Sequence, residues 1–92
     1  MTASLIPKKR RKMGPFELVA NANGAKEELN GVHEQGNYNV TRDKYYATLA
    51  LDHFRQAEKL YREAAGGDNF ASERAARSAE IMKAVLLREI KR

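Results

Sequence analysis

The stretch Thr41–Gly67, TRDKYYATLALDHFRQAEKLYREAAGG, decides how this chain folds. At about 100° per residue, Tyr46, Leu49, Ala50, His53, Phe54, Ala57, Leu60, Tyr61 and Ala64 share one face of a helix. Lys44, Asp52, Arg55, Lys59 and Arg62 fall on the opposite face. This is the pattern of an amphipathic helix with one buried stripe. Glu58 with Arg62, and Lys59 with Glu63, add favourable pairs one turn apart. Gly66 and Gly67 then end the helix, because glycine adopts the left-handed conformation a helix stop needs.

Past the glycines a second pattern begins, capped by Asp68 or Ser72 and with Glu73 in its first turn. Ala71, Ala75, Ala79, Met82, Leu86 and Ile90 form its apolar stripe, widened by Val85 and Leu87. Arg88, Lys91 and Arg92 stand where a helix end favours cations. Residues 41–92 are therefore expected to form a long antiparallel helical hairpin, with helices over about 42–65 and 69–91. The spacing of Ala57, Leu60, Tyr61 and Ala79 resembles tetratricopeptide-type repeats. A single hairpin without a second copy gives that spacing through helix packing alone, so no family membership follows.

Working back toward the N-terminus, residues 15–40 hold Asn21, Asn23, Asn30, Asn37 and Asn39 with Gly24, Gly31 and Gly36. Both residue types favour turns, so an irregular or partly helical segment is expected. Pro15 and Glu17 suit the start of a short helix reaching about Ala22, and another turn fits Ala25–Leu29 before Gly31. A hairpin-like alternative over Tyr38–Val40 stays open. Residues 1–14 contain five consecutive cations after Pro7 with no apolar periodicity, the signature of a basic disordered arm. The fold class expected is all-α: arm, short irregular segment, helical hairpin.

Charge is concentrated. The net charge of +5 comes from 17 basic and 12 acidic side chains. Lys8, Lys9, Arg10, Arg11 and Lys12 supply five of the basic ones, which leaves a balance of zero elsewhere. A cationic arm of this kind suits a phosphate backbone, where each positive group releases a counterion and arginine adds two-pronged contacts. The run Pro7–Lys12 also resembles a monopartite nuclear localisation signal. A second candidate is the line of Arg74, Arg77, Arg88 and Arg92 on the last helix with Ile81 among them, blunted by Glu73 and Glu80. Tyr45 is the exposed aromatic of the Tyr38, Tyr45, Tyr46 group, and it stands near Arg42 and Lys44 as a stacking candidate.

Other chemistries lack their residues. There is no cysteine, and His33 and His53 stand apart, so no zinc site or other metal centre is expected. His53, on the apolar face, reads as a hydrogen-bonded core residue. The carboxylates show no paired arrangement for acid–base work, and the serines no activating neighbours. The glycines match neither a phosphate loop nor a dinucleotide fingerprint, so no cofactor is expected. No apolar run approaches the roughly 20 residues that span a bilayer. The sequence thus points to a non-catalytic accessory protein of nucleic acid. Its arm would contact phosphates while the hairpin dimerises or docks on a protein or nucleoprotein assembly. The alternative is a protein-binding module, such as a small virus-encoded inhibitor or assembly subunit, acting through the hairpin surface. The expected location is cytoplasmic, or nuclear if the basic run serves as a localisation signal.

Overall fold

The computed structural model describes residues 14–91, and these form three helices. α1 spans Pro15–Thr41, α2 Lys44–Ala65 and α3 Phe70–Lys91. The chain is all-α. The basic arm lies outside the described residues.

The segment expected to be irregular is instead one continuous helix of 27 residues, about 40 Å long. Neither Gly24 nor Gly31 breaks it, nor does any strand form at Tyr38–Val40. The reason is tertiary. Gly24, Gly31 and Tyr38 are the buried residues of α1, seven apart, and form a seam against α2. A Cβ on Gly24 would stand 2.9 Å from Cδ1 of Tyr61, and one on Gly31 would stand 2.7 Å from Cε1 of Phe54. Each glycine lets an aromatic ring of α2 lie on bare helix backbone. A glycine inside a helix costs roughly 0.5–1 kcal/mol relative to alanine. Burying most of a Phe or Tyr side chain returns about 1.5–3 kcal/mol. Packing wins over propensity at both positions.

The helix ends follow from local chemistry. Pro15 opens α1 after Gly14, with Glu17 in the first turn. Arg42 closes it in a left-handed conformation (φ 60°), its N–H donating to the Tyr38 carbonyl at 2.7 Å. Asp43 then caps α2, its Oδ1 accepting from the Tyr45 N–H at 2.9 Å. α2 stops at Gly66 (φ 73°), and the Gly67 N–H reaches back to the Arg62 carbonyl at 3.0 Å. Neither Asp68 nor Ser72 is the cap of α3; Asn69 is. The Asn69 Oδ1 accepts from the Ser72 N–H at 2.7 Å, and the Ser72 Oγ accepts from the Asn69 N–H at 2.9 Å. Those two bonds form a reciprocal capping box. Asp68 pairs with Arg62 instead, at 2.7 Å.

α2 is the central helix. It packs on α1 through the pairs 24–61 and 31–54, and on α3 through one cluster with Ala57, Tyr61 and Ala75 and another with Phe54, Ala79 and Met82. In both cases one number rises as the other falls, so α2 runs opposite to each neighbour. Ala50, Phe54, Ala57, Tyr61 and Ala64 of the expected face are buried, as are Ala75, Ala79 and Met82 of α3. Ile90, expected in the stripe, is exposed. It lies in the last turn of α3, opposite the first turn of α2, where the core ends. At the other end, Ala65 lies about level with Ala20, so the first turn of α1 projects past α2 and leaves Phe16, Leu18 and Val19 exposed.

Candidate interaction surface

Three surfaces present side chains in patterns that packing alone does not explain away. The first is a line of charge along α2 and α3. Glu58 is buried, yet its carboxylate meets Arg62 at 2.6 Å and Arg55 at 3.2 Å. Arg62 continues to Asp68 at 2.7 Å and Arg55 to Glu80 at 2.8 Å. The chain Asp68–Arg62–Glu58–Arg55–Glu80 alternates in sign, and the carboxylates raise the basicity of both guanidiniums. It is a self-neutralising lattice with nothing left over for an incoming anion.

The second lies where α1 meets α3. Arg74 grips Glu28 with two bonds, Nε to Oε2 at 2.6 Å and Nη2 to Oε1 at 2.9 Å. The Tyr61 hydroxyl donates to the same carboxylate at 2.7 Å, and the Arg74 guanidinium lies 5.9 Å from the Tyr61 ring centre. The hydrogen bonds from Arg74 hold the Glu28 carboxyl below its ordinary value, against the opposing effect of burial. Burial first, and then the hydrogen bond to Glu28, push the Tyr61 phenol up. One residue from each helix is tied into this knot. His53 makes a similar tie further along, its Nδ1 lying 2.6 Å from Oε1 of Glu27. Expected as a hydrogen-bonded core residue, His53 is hydrogen-bonded but only half-buried, at the edge of the core.

The third surface went unread in the sequence. Leu18, Ala22, Ala25, Leu29, Val32 and Gly36 follow one another at intervals of four, three, four, three and four along α1. That is a second apolar seam, pointing away from the glycine seam. All six are exposed, Leu29 by 70% and Val32 by 54%. The signal was present as spacing, but the asparagines and glycines interleaved with it suggested turns rather than a helix.

The residues expected to form sites are distributed among these surfaces. Lys8, Lys9, Arg10, Arg11 and Lys12 lie outside the described residues, as does Arg92. Of the arginine line on α3, Arg74 is committed to Glu28, while Arg77 and Arg88 are exposed. Ile81 is also exposed, on the side of α3 that carries Arg74. The ties Glu28–Arg74 and Tyr38–Glu89 set the register of α1 against α3 and bring Ile81 level with Val32. Tyr45 is exposed and meets Tyr46 edge to face, ring centres 5.4 Å apart, while Tyr46 packs on the core. Tyr38 is buried and its hydroxyl donates to Glu89 at 2.8 Å. Arg42, near Tyr45 in sequence, covers the Tyr38 ring instead, at 5.7 Å. Of the two cations near Tyr45 in sequence, Arg42 is thus taken by Tyr38, and Lys44 is exposed.

Among the described residues no group of three or more His, Asp or Glu is placed to hold a metal ion. No described helix is long and apolar enough to cross a membrane. No protein-family model, curated protein or solved structure is significantly similar to this chain, so its function rests on its own residues.

Proposed function

We propose that this chain is a non-catalytic accessory protein of nucleic acid, in which Lys8–Lys12 contact a phosphate backbone and the helical body docks on protein. The observation that carries the reading is the division of charge. The entire excess of positive charge sits in that one run, ahead of Gly14. Within the helices Arg55, Arg62 and Arg74 are each committed to carboxylates of the same chain. A body of zero net charge, with three of its arginines held by its own carboxylates, offers a polyanion less than five adjacent cations, each of which releases a counterion at a phosphate.

A second reading, a protein-binding module with an incidental arm, is favoured by a different observation. The exposed apolar side chains of α1, with Ile81 beside them, belong to a surface that meets protein rather than phosphate.

Binding of the full chain to a labelled RNA or DNA oligonucleotide, compared with a variant carrying Gln at positions 8–12, separates the two. Under the first reading the wild-type chain binds and the variant loses at least tenfold in affinity. Equal binding by both, or none by either, overturns it in favour of the second.

A further inference from the structure

We infer that the outer seam of α1 is a homodimer interface, on which a second copy of this chain lays its own α1 antiparallel. The inference rests on the reading of the body as a docking unit and is independent of what the arm contacts.

The argument starts from Gly36. Gly24 and Gly31 have their reason within the chain, since aromatic rings of α2 occupy the space a side chain would need. Gly36 has none: nothing lies within 4 Å of the Cβ it lacks. An interior helix position is a costly place for glycine unless something approaches the backbone closely. Gly36 lies on the exposed seam, so the approach comes from outside the chain.

The seam says what approaches. Set against its own copy in the opposite direction about a two-fold axis level with Glu27, the six residues pair as Leu18 with Gly36, Ala22 with Val32 and Ala25 with Leu29. The axis repeats each pairing, as an isologous contact requires. Every layer then joins a large side chain to a small one, so all layers close at the same helix–helix distance and interdigitate. A parallel pairing would put leucine on leucine and glycine on glycine, demanding wide and narrow separations within one seam. The spacing of four and three residues is that of a helix lying along another helix. Leu18 belongs to the turn of α1 that projects past α2, and a second copy would support it where its own chain does not.

The pair runs about 27 Å along each helix. A contact of that extent falls near the lower limit for specific protein interfaces, so dissociation is expected in the micromolar range, on the order of 1–100 µM. It also presents the two copies of Pro15, and so the two arms, about 36 Å apart.

Sedimentation of the full chain from about 1 to about 500 µM tests this, with helix content followed by circular dichroism. The expected result is a reversible monomer–dimer equilibrium. Leu29→Ala weakens it tenfold or more and Leu29→Glu abolishes it, both with helix content retained because the side chain is exposed. Ala25→Leu combined with Leu29→Ala exchanges the two members of one layer and returns the affinity to within about threefold of wild type. With cysteine otherwise absent, a mixture of Ala25→Cys and Leu29→Cys chains cross-links, while neither does so alone. A monomer at every concentration overturns the inference. So does a dimer indifferent to Leu29→Glu, or an exchange variant no better than Leu29→Ala. The Gln variant at positions 8–12 must dimerise as wild type. A dimer that binds no oligonucleotide sinks only the reading of the arm, and a monomer that binds one sinks only the interface.

Discussion

Cε1 of Phe54 lies 2.7 Å from the point where a Cβ on Gly31 would stand, and Cδ1 lies 2.8 Å away. No real Cβ is approached so closely, and the Phe54 ring is fully buried with no free side to which it could retreat. Gly31→Ala should therefore destabilise the protein by about 1–3 kcal/mol in chemical denaturation, the usual cost of overpacking. The same change at an exposed helix position gains about 0.5–1 kcal/mol. Phe54→Leu is costly alone but makes room, so the double variant should show a coupling of at least about 1 kcal/mol. Additive effects would mean that the ring does not set the approach of α1 to α2.

Glu28 joins the three helices, since Arg74 of α3 and Tyr61 of α2 both bond to it. Glu28→Gln should cost about 1.5–3 kcal/mol, the range for hydrogen bonds to a charged group. Arg74→Lys should lose part of this despite keeping the charge, because lysine cannot reproduce the two-pronged grip.

The same network sets a pH dependence whose sign can be worked out. The folded Glu28 carboxyl titrates below the ordinary 4.5, so on acidification the unfolded chain takes up its proton first. The stabilisation is complete above that ordinary value and is lost as pH falls through the folded one. At the alkaline end the folded Tyr61 phenol titrates above the ordinary 10, so its contribution is complete below that value and lost as pH rises through the folded one. Thermal melts from neutral pH down to about 3 should show a steeper loss in wild type than in Glu28→Gln. Parallel curves would remove Glu28 from the acid response.

Tyr38 and Glu89 tie the end of α1 to the last turns of α3. Tyr38→Phe keeps the ring in the core and removes only the hydroxyl, at a cost of about 0.5–1.5 kcal/mol. The effect should be local. Amides of α3 near Glu89 should exchange faster, while those around Ala75 keep wild-type protection. Uniform acceleration along α3 would show that the bond supports the whole helix rather than its end.

Residues 41–92 were legible because their apolar residues alone mark the helical period, and glycine there does what glycine usually does. Gly66 stops α2 in the left-handed region. Residues 15–41 were not, because there the small residues are themselves the packing surface. A glycine that breaks a helix and one that admits a tyrosine ring look the same in one dimension. What separates Gly24 and Gly31 from Gly66 is their seven-residue repeat with Tyr38, which acquires meaning only once the rings of Phe54 and Tyr61 are known to face it. The arginine line of α3 had the converse fate. Its spacing read correctly as a face, but the partner that claims Arg74 stands 46 residues away on a helix whose existence the sequence obscured.

The arm's contribution can be counted. If Lys8, Lys9, Arg10, Arg11 and Lys12 each neutralise one phosphate, log affinity for duplex DNA should fall against log salt with a slope of up to about 4.5, since each contact contributes about 0.9. On a single strand the factor is about 0.7 and the slope up to about 3.5. Replacing one residue at a time by Gln should lower the slope by about one contact, whichever position is chosen, because a phosphate backbone presents equivalent sites. The two types of cation differ in another respect. Arg10→Lys and Arg11→Lys keep the charge and so the slope, but should weaken binding at every salt concentration by removing the guanidinium fork. A slope near zero, or one unchanged by the Gln substitutions, would place the contact elsewhere. A slope well above five contacts would mean that exposed cations of the helices, such as Arg77 and Arg88 on α3, had joined the arm on the same polyanion.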